Sequence, residues 1–188
     1  MSLRAHLAWL PNLITLARLL AVPLMIYLLL NGSFEAAFWL FVAAGVSDAL
    51  DGAIAKQLEV TSQVGAFLDP LADKALLVGV YVTLGYIGEV AVWLVILIVF
   101  RDILIVGGAI LYHTLTQSLE MQPLRVSKAN TAAQIVLAAA VLAQLGLGFI
   151  LPGLVPVLVY VVTATTVVSG GLYVIKWGHR AVTMERDS

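Results

Sequence analysis

Apolar residues run through this chain in long unbroken stretches, broken by short polar or glycine-containing segments. Six stretches approach the ~20 residues that a helix needs to cross a bilayer. They are Leu13–Leu30, Phe34–Lys56, Ala66–Tyr86, Val90–His113, Ala129–Leu147 and Leu154–Trp177. The strands of a transmembrane barrel would instead alternate apolar and polar positions over about 10 residues. Three breaks carry turn residues: Asn31-Gly32-Ser33, Gly85 to Gly88, and Leu151-Pro152-Gly153. Two are longer and polar, at Gln57–Val64 and Thr114–Ser127. Pro23 is expected to kink the first span, because a proline inside a helix removes one backbone hydrogen bond.

Composition supports the pattern. Of 188 residues, 62% are hydrophobic and 11% are charged, against about 25% charged in a soluble domain. Mean hydropathy is +1.04, so an all-α integral membrane protein is expected. The chain reads as a single domain over residues 1–188: an interfacial segment 1–12, a six-helix bundle 13–177 and a cytoplasmic tail 178–188. Leu3, Leu7 and Leu10 share one helical face beside Trp9, the pattern of an amphipathic turn lying on the membrane. That stretch lacks a small-residue cleavage site after a suitable apolar run, so no signal peptide is expected. A bacterial inner membrane is the expected location.

Charge sets the orientation. The breaks Asn31–Ser33, Gly85–Glu89 and Gly146–Gly153 contain no Lys or Arg, whereas the opposite side collects Arg4, Lys56, Arg125, Lys128, Lys176, Arg180 and Arg186. Positive residues stay inside, which places both termini in the cytoplasm. The net charge of −1 offers no basic field for nucleic acid. The absence of cysteine excludes disulfides, thiolate metal sites and cysteine nucleophiles.

The chemistry lies in ionisable residues inside apolar stretches: Arg18, Asp48, Asp51, Asp69, Asp73, Lys74, Arg101 and Asp102. A charge at the bilayer centre costs at least ~2.5–3.5 kcal/mol on insertion scales, so such residues must face one another or a watered cavity. Asp48 and Asp51 are three apart and Asp69 and Asp73 four apart, so each pair shares a helical face. Antiparallel packing of the second and third spans would gather all four acids near the cytoplasmic surface. Four carboxylates in low dielectric repel, and two nearby lysines, Lys56 and Lys74, balance them poorly. An all-oxygen set favours Mg²⁺ or Mn²⁺, and two such ions suit displacement at phosphorus. An ion or proton pathway through the acids is the competing reading at this point. Gly52, Gly65 and the neighbouring alanines form a small-residue surface for close helix packing or a flat ligand. Thr163 to Thr166 and Ser169-Gly170-Gly171 read as helix packing.

The run Asp48-Ala-Leu-Asp51-Gly52-Ala-Ile-Ala55-Lys56, eight residues, then Gly65-Ala-Phe-Leu-Asp69-Pro-Leu-Ala-Asp73 resembles the signature of the CDP-alcohol phosphotransferases. That signature is D-x-x-D-G-x-x-A-R, eight residues, G-x-x-x-D-x-x-x-D. The one departure is Lys56 where the family has Arg, which keeps the charge but loses the planar fork. The resemblance implies six spans, cytoplasmic termini and a homodimer. It also implies transfer of a phosphatidyl or related group from a CDP-linked donor to an alcohol, with release of CMP. By position it makes Asp48, Asp51, Asp69 and Asp73 metal-site residues and Asp73 the general base. Asp48, Gly52, Ala55, Lys56 and Gly65 would receive the nucleotide. Asn12, Thr15 and Arg18 resemble the family's early P-N-x-x-T-x-x-R stretch, expected near the lipid phosphate.

Arg101, Arg125 and Lys128 are candidates for an anionic acceptor, with a salt bridge to an intramembrane Asp as the plainer role for Arg101. Two stretches resemble the mitochondrial-type cardiolipin synthase branch of the family: Arg101-Asp102, and Ser127-Lys128-Ala-Asn130-Thr131-Ala-Ala-Gln134. The glycerophosphate-using branch tends to Arg-Glu and G-K-x-K-T there. The resemblance thus favours CDP-diacylglycerol as donor and phosphatidylglycerol as acceptor, with glycerol 3-phosphate next.

Overall fold

A computed structural model describes the backbone over residues 9–58, 63–116, 125–149 and 151–186, and side chains over 16–48, 72, 74–108, 125–149 and 151–176. The described residues form six helices: α1 Trp9–Leu30, α2 Phe34–Leu58, α3 Gln63–Tyr86, α4 Val92–Thr116, α5 Arg125–Leu147 and α6 Leu154–Arg186. All six apolar stretches are helical apart from Val90 and Ala91, and each helix outruns its stretch at one end or both. α1 begins at Trp9 and takes Pro11 into its first turn, where the missing N–H has no intrahelical acceptor to lose. The expected interfacial turn otherwise falls in residues 1–8, outside the described ones. The helix continues through Pro23. The two polar breaks are shorter than expected, because α2 runs on to Leu58 and α3 starts at Gln63, while α4 reaches Thr116 and α5 starts at Arg125. Residues 178–186 of the expected tail are helical as well. Polarity marks where an apolar run stops, whereas a helix stops where its hydrogen-bond ladder is capped.

The glycine turns show such caps. After α1, Gly32 takes φ 71°, its N–H donates to Leu29 O at 3.1 Å, and Ser33 N–H donates to Leu28 O at 2.9 Å. This pair of bonds closes a helix with a left-handed residue. After α3, Gly88 at φ 85° does the same, with Glu89 N–H donating to Leu84 O at 2.9 Å. Gly153 has φ 82° ahead of α6. Hydroxyls inside the helices bond back one turn: Thr83 Oγ1 donates to Gly79 O at 2.7 Å and Thr163 Oγ1 to Val159 O at 2.7 Å.

The helices group into two compact units, residues 1–89 with 138–150, and residues 90–137 with 151–188. In the first unit α1 packs on both α2 and α3. Its core takes one stripe from each helix: Met25 and Leu29; Ala37, Phe41 and Ala44; Leu76, Leu77, Val80, Tyr81 and Leu84. Leu142 of α5 is buried in the same unit. Gly79 lets α1 come close, since a methyl there would stand 3.3 Å from Val22 Cγ1. In the second unit α4 packs on α6. There Leu94 and Ile98 are buried on α4, Leu137 on α5, and Val162 and Tyr173 on α6.

Over the described residues, α5 and the Leu154–Lys176 part of α6 are long and apolar enough to cross a membrane, with shorter apolar stretches at Leu16–Leu30 and Lys74–Tyr86. Large apolar side chains such as Leu20, Tyr27, Ile96, Phe100, Tyr160 and Ile175 are exposed. An outward apolar surface of this kind is what lipid contact requires and water penalises.

The closest helix approach gives a stability test. A methyl on Gly146 would lie 2.7 Å from the backbone of Phe34 and Glu35 at the start of α2, and backbone cannot rotate aside. Gly146→Ala is expected to cost about 1–3 kcal/mol, the usual range for overpacking. Gly107→Ala, with nothing within 4 Å, should be neutral. Thermal unfolding in detergent should lower the midpoint for the first substitution alone.

Candidate functional site

The acidic motif lies on two helices of the first unit. Asp48, Asp51, Gly52, Ala55 and Lys56 belong to α2, and Gly65, Asp69 and Asp73 to α3. Both helices are unbroken across these positions, so the three- and four-residue spacings correspond to one turn, as expected. The side chains of Asp51, Lys56, Asp69 and Asp73 lie outside the described residues, as does that of Thr15. Their contribution rests on helix register.

Asp48 is described, and its neighbour was not foreseen. Arg18 Nη1 of α1 donates to Asp48 Oδ1 at 2.8 Å, with the Arg18 side chain 3% exposed and that of Asp48 48% exposed. Arg18 sits in register with Met25 and Leu29 on the buried stripe of α1. A cation held inside an apolar helix needs a partner, and α2 supplies one. The expectation from the sequence had placed Arg18 near lipid phosphate. Its spacing from Met25 and Leu29 was the available signal that it faces a helix. The carboxylate keeps acceptor capacity, since its two oxygens offer about four lone-pair sites and about half of its side-chain surface is exposed. An oxygen-only donor set with one half-exposed member suits a hard divalent cation.

The second unit holds a polar seam. Arg101 of α4 is 3% exposed and its Nη1 donates to Asp102 Oδ1 at 2.7 Å. Its Nη2 donates to Ser127 Oγ of α5 at 2.5 Å and to Ser169 Oγ of α6 at 2.6 Å. Its Nε reaches Ser169 Oγ at 3.2 Å. The plainer reading of Arg101, a salt bridge to an intramembrane Asp, is therefore realised with its own neighbour, and two serines engage the guanidinium further. A methyl at Gly170 would meet Arg101 Cγ at 3.6 Å, an ordinary van der Waals contact. One turn along α5, Asn130 Oδ1 accepts from Thr165 Oγ1 at 2.8 Å and Thr166 Oγ1 at 2.9 Å. Asn130 Nδ2 is buried with no partner, which leaves one end of the amide open. Gln134 is buried another turn along.

Ser127, Asn130 and Gln134 follow the i, i+3, i+7 spacing of one helix face. The run that distinguished two branches of the family is thus the interior face of α5 in this unit. Arg125 and Lys128 are exposed and remain available to an anion. Thr165, Thr166 and Ser169, read from sequence as packing residues, do pack, through hydrogen bonds.

With this geometry in hand, the sequence comparisons identify the class. The chain belongs to the CDP-alcohol phosphatidyltransferase family, whose sequence model matches residues 8–170. Among curated relatives, it is 35% identical to the Schizosaccharomyces pombe "cardiolipin synthase (CMP-forming) / mitochondrial hydrolase fusion protein", over 92% of this chain and 32% of that one. It is 35% identical to the cardiolipin synthase (CMP-forming) of Rattus norvegicus, over 71% of this chain and 49% of the relative. It is also 33% identical to the chloroplastic CDP-diacylglycerol–glycerol-3-phosphate 3-phosphatidyltransferase 1 of Oryza sativa subsp. japonica, over 89% and 56% respectively. The chain thus spans between about a third and a little over half of the length of these relatives.

The seam yields a prediction of its own. Arg101→Leu strands a buried carboxylate and is expected to cost about 3–5 kcal/mol. Ser169→Ala removes a hydrogen bond to a charged group, at about 1.5–3 kcal/mol. Unfolding titrations in mixed detergent measure both. An Arg101→Leu protein as stable as the parent would show that this pair does not hold the second unit together.

Proposed function

We propose that this protein transfers a phosphatidyl group from CDP-diacylglycerol to a hydroxyl of phosphatidylglycerol, giving cardiolipin and CMP. The observation that carries the choice is the similarity to CMP-forming cardiolipin synthases at 35% identity, together with an acidic motif that departs from the family signature only at Lys56. The site would be formed by Asp48, Asp51, Asp69 and Asp73 with two Mg²⁺ or Mn²⁺ ions. Bound there, the ions would offset the charge of the diphosphate and stabilise the departing phosphate. Asp73 takes the proton of the acceptor hydroxyl. The acceptor oxygen forms a bond to the phosphorus carrying diacylglycerol as the bond from that phosphorus to CMP breaks. Gly52, Ala55 and Gly65 give the nucleotide a flat surface and Lys56 offers a positive charge to its phosphates. In this reading the chain crosses a bacterial inner membrane six times, keeps both termini in the cytoplasm and works as a homodimer.

A second reading uses glycerol 3-phosphate as acceptor, and the likeness to the rice glycerol-3-phosphate enzyme favours it. The composition of the seam weighs the other way. Its single Arg is balanced by Asp102, and the position one turn beyond Ser127 is the uncharged Asn130. A doubly charged phosphate monoester needs more net positive charge than the seam offers, whereas a singly charged diester needs less.

The deciding assay supplies CDP-diacylglycerol and Mg²⁺ with each acceptor separately and follows CMP. Release with phosphatidylglycerol is expected. Release with glycerol 3-phosphate alone would transfer the assignment to the second reading, and none with any alcohol would remove the enzyme reading altogether. Chelation should abolish turnover and Mg²⁺ or Mn²⁺ should restore it. Asp73→Asn should still bind nucleotide yet lose turnover, because an amide cannot take the proton. Lys56→Arg should remain active, since it restores the family residue.

A further inference from the structure

The buried arginine of α1 has a role that a phosphate contact would not explain. Arg18 is almost fully enclosed, yet the carboxylate it holds is half exposed. As a device for stability this is a poor arrangement. Burying a cation costs solvation, and an exposed acid returns little of it because water screens the attraction. A purely structural pair would enclose both partners, as Arg101 and Asp102 do. Here the enclosed partner is the rigid one. Arg18 lies on the packed stripe of α1, seven residues before Met25 and eleven before Leu29, both buried. Its guanidinium is anchored by helix packing and fixes Asp48 Oδ1 from behind at 2.8 Å. About half of the Asp48 side-chain surface stays accessible, one helical turn before Asp51 on α2.

We propose that Arg18 is a positioning residue of the divalent-metal site. It sets the rotamer of Asp48 so that the second carboxylate oxygen is presented to the cation, and it ties α1 to the acidic motif. The inference rests on the metal-site reading of the four aspartates given above. Two opposing effects are at work. The positive guanidinium repels a divalent ion, and the fixed carboxylate orientation favours it. Repulsion is weakened by the high dielectric around a half-exposed acid, whereas orientation is not, so orientation wins. Groups that hold a metal ligand from behind typically change metal affinity 10–100-fold when removed.

The test measures Mn²⁺ binding by electron paramagnetic resonance on purified protein in detergent, with no lipid or nucleotide present. Arg18→Met should raise the Kd for Mn²⁺ about tenfold or more, and Arg18→Lys, which keeps charge and one donor, should lie between the two. Melting of each variant in a chelator shows separately that it is folded, so that a raised Kd in a folded variant reports on the metal site and not on loss of the fold. If Arg18→Met does not fold, Arg18→Lys alone carries the test, with a raised Kd expected. An unchanged or tighter Kd in the folded variants overturns the proposal. So does a variant in which only the KM for CDP-diacylglycerol rises, which would return Arg18 to the lipid phosphate. Parent protein that binds no Mn²⁺ overturns the metal reading and this inference together. Parent binding with equal binding by the variants overturns only the inference, and the identity of the acceptor affects neither outcome.

Discussion

A charge inside an apolar helical chain must find its partner within the chain, and both units are organised around that constraint. Each has a nearly enclosed arginine. Arg18 reaches from α1 to Asp48 on α2, and Arg101 pairs with its own neighbour Asp102 on α4. Without partners, either guanidinium would set its desolvation cost against helix packing. The apolar stripes of Met25, Leu29, Phe41 and Leu76, and of Leu94, Ile98 and Val162, are buried in the same two units. Those stripes are compatible with a buried arginine because a carboxylate lies within reach of it.

The two pairs have opposite consequences. Arg101 and Asp102 are both enclosed, and Ser127 and Ser169 close the remaining sides of the guanidinium. The result is a neutral, internally satisfied joint between α4, α5 and α6. Arg18 leads outward to an acid that keeps half its surface accessible. Buried polar groups fully satisfied within the chain rigidify it, whereas one left partly open can meet a ligand. The acid of the open pair, Asp48, is also the first residue of the motif that defines the family.

The seam also changes what the branch-specific residues mean. As a linear motif, Ser127, Asn130 and Gln134 mark only a resemblance to one branch of the family. In the fold they form an inward face of α5, and the first two bond to Arg101, Thr165 and Thr166. Differences between branches at these positions therefore alter how three helices are joined as well as what they touch. Small residues serve close packing elsewhere: Gly79 admits α1, and Gly146 lies against the backbone of α2.

The number, order and helical nature of the elements were legible in the apolar runs, since a run of about 20 apolar residues has few other stable forms. The glycine turns at Gly32, Gly88 and Gly153 were legible too, because the left-handed conformation suits glycine. So were the spacing of the aspartates and the family they signify, which are local properties of the chain. Helix ends were read short at Leu58, Gln63, Thr116 and Arg125, because hydropathy reports the solvent and not the hydrogen-bond ladder. An intramembrane Asp was legible as a partner for Arg101, but neither which one nor the partner of Arg18 was. Arg18 could equally have faced lipid phosphate, and Arg101 an anionic acceptor, by every rule of spacing. Asp48, Ser127 and Ser169 lie on other helices than the arginines they meet, so these contacts depend on how helices distant in sequence rotate and approach, and only tertiary packing decides that.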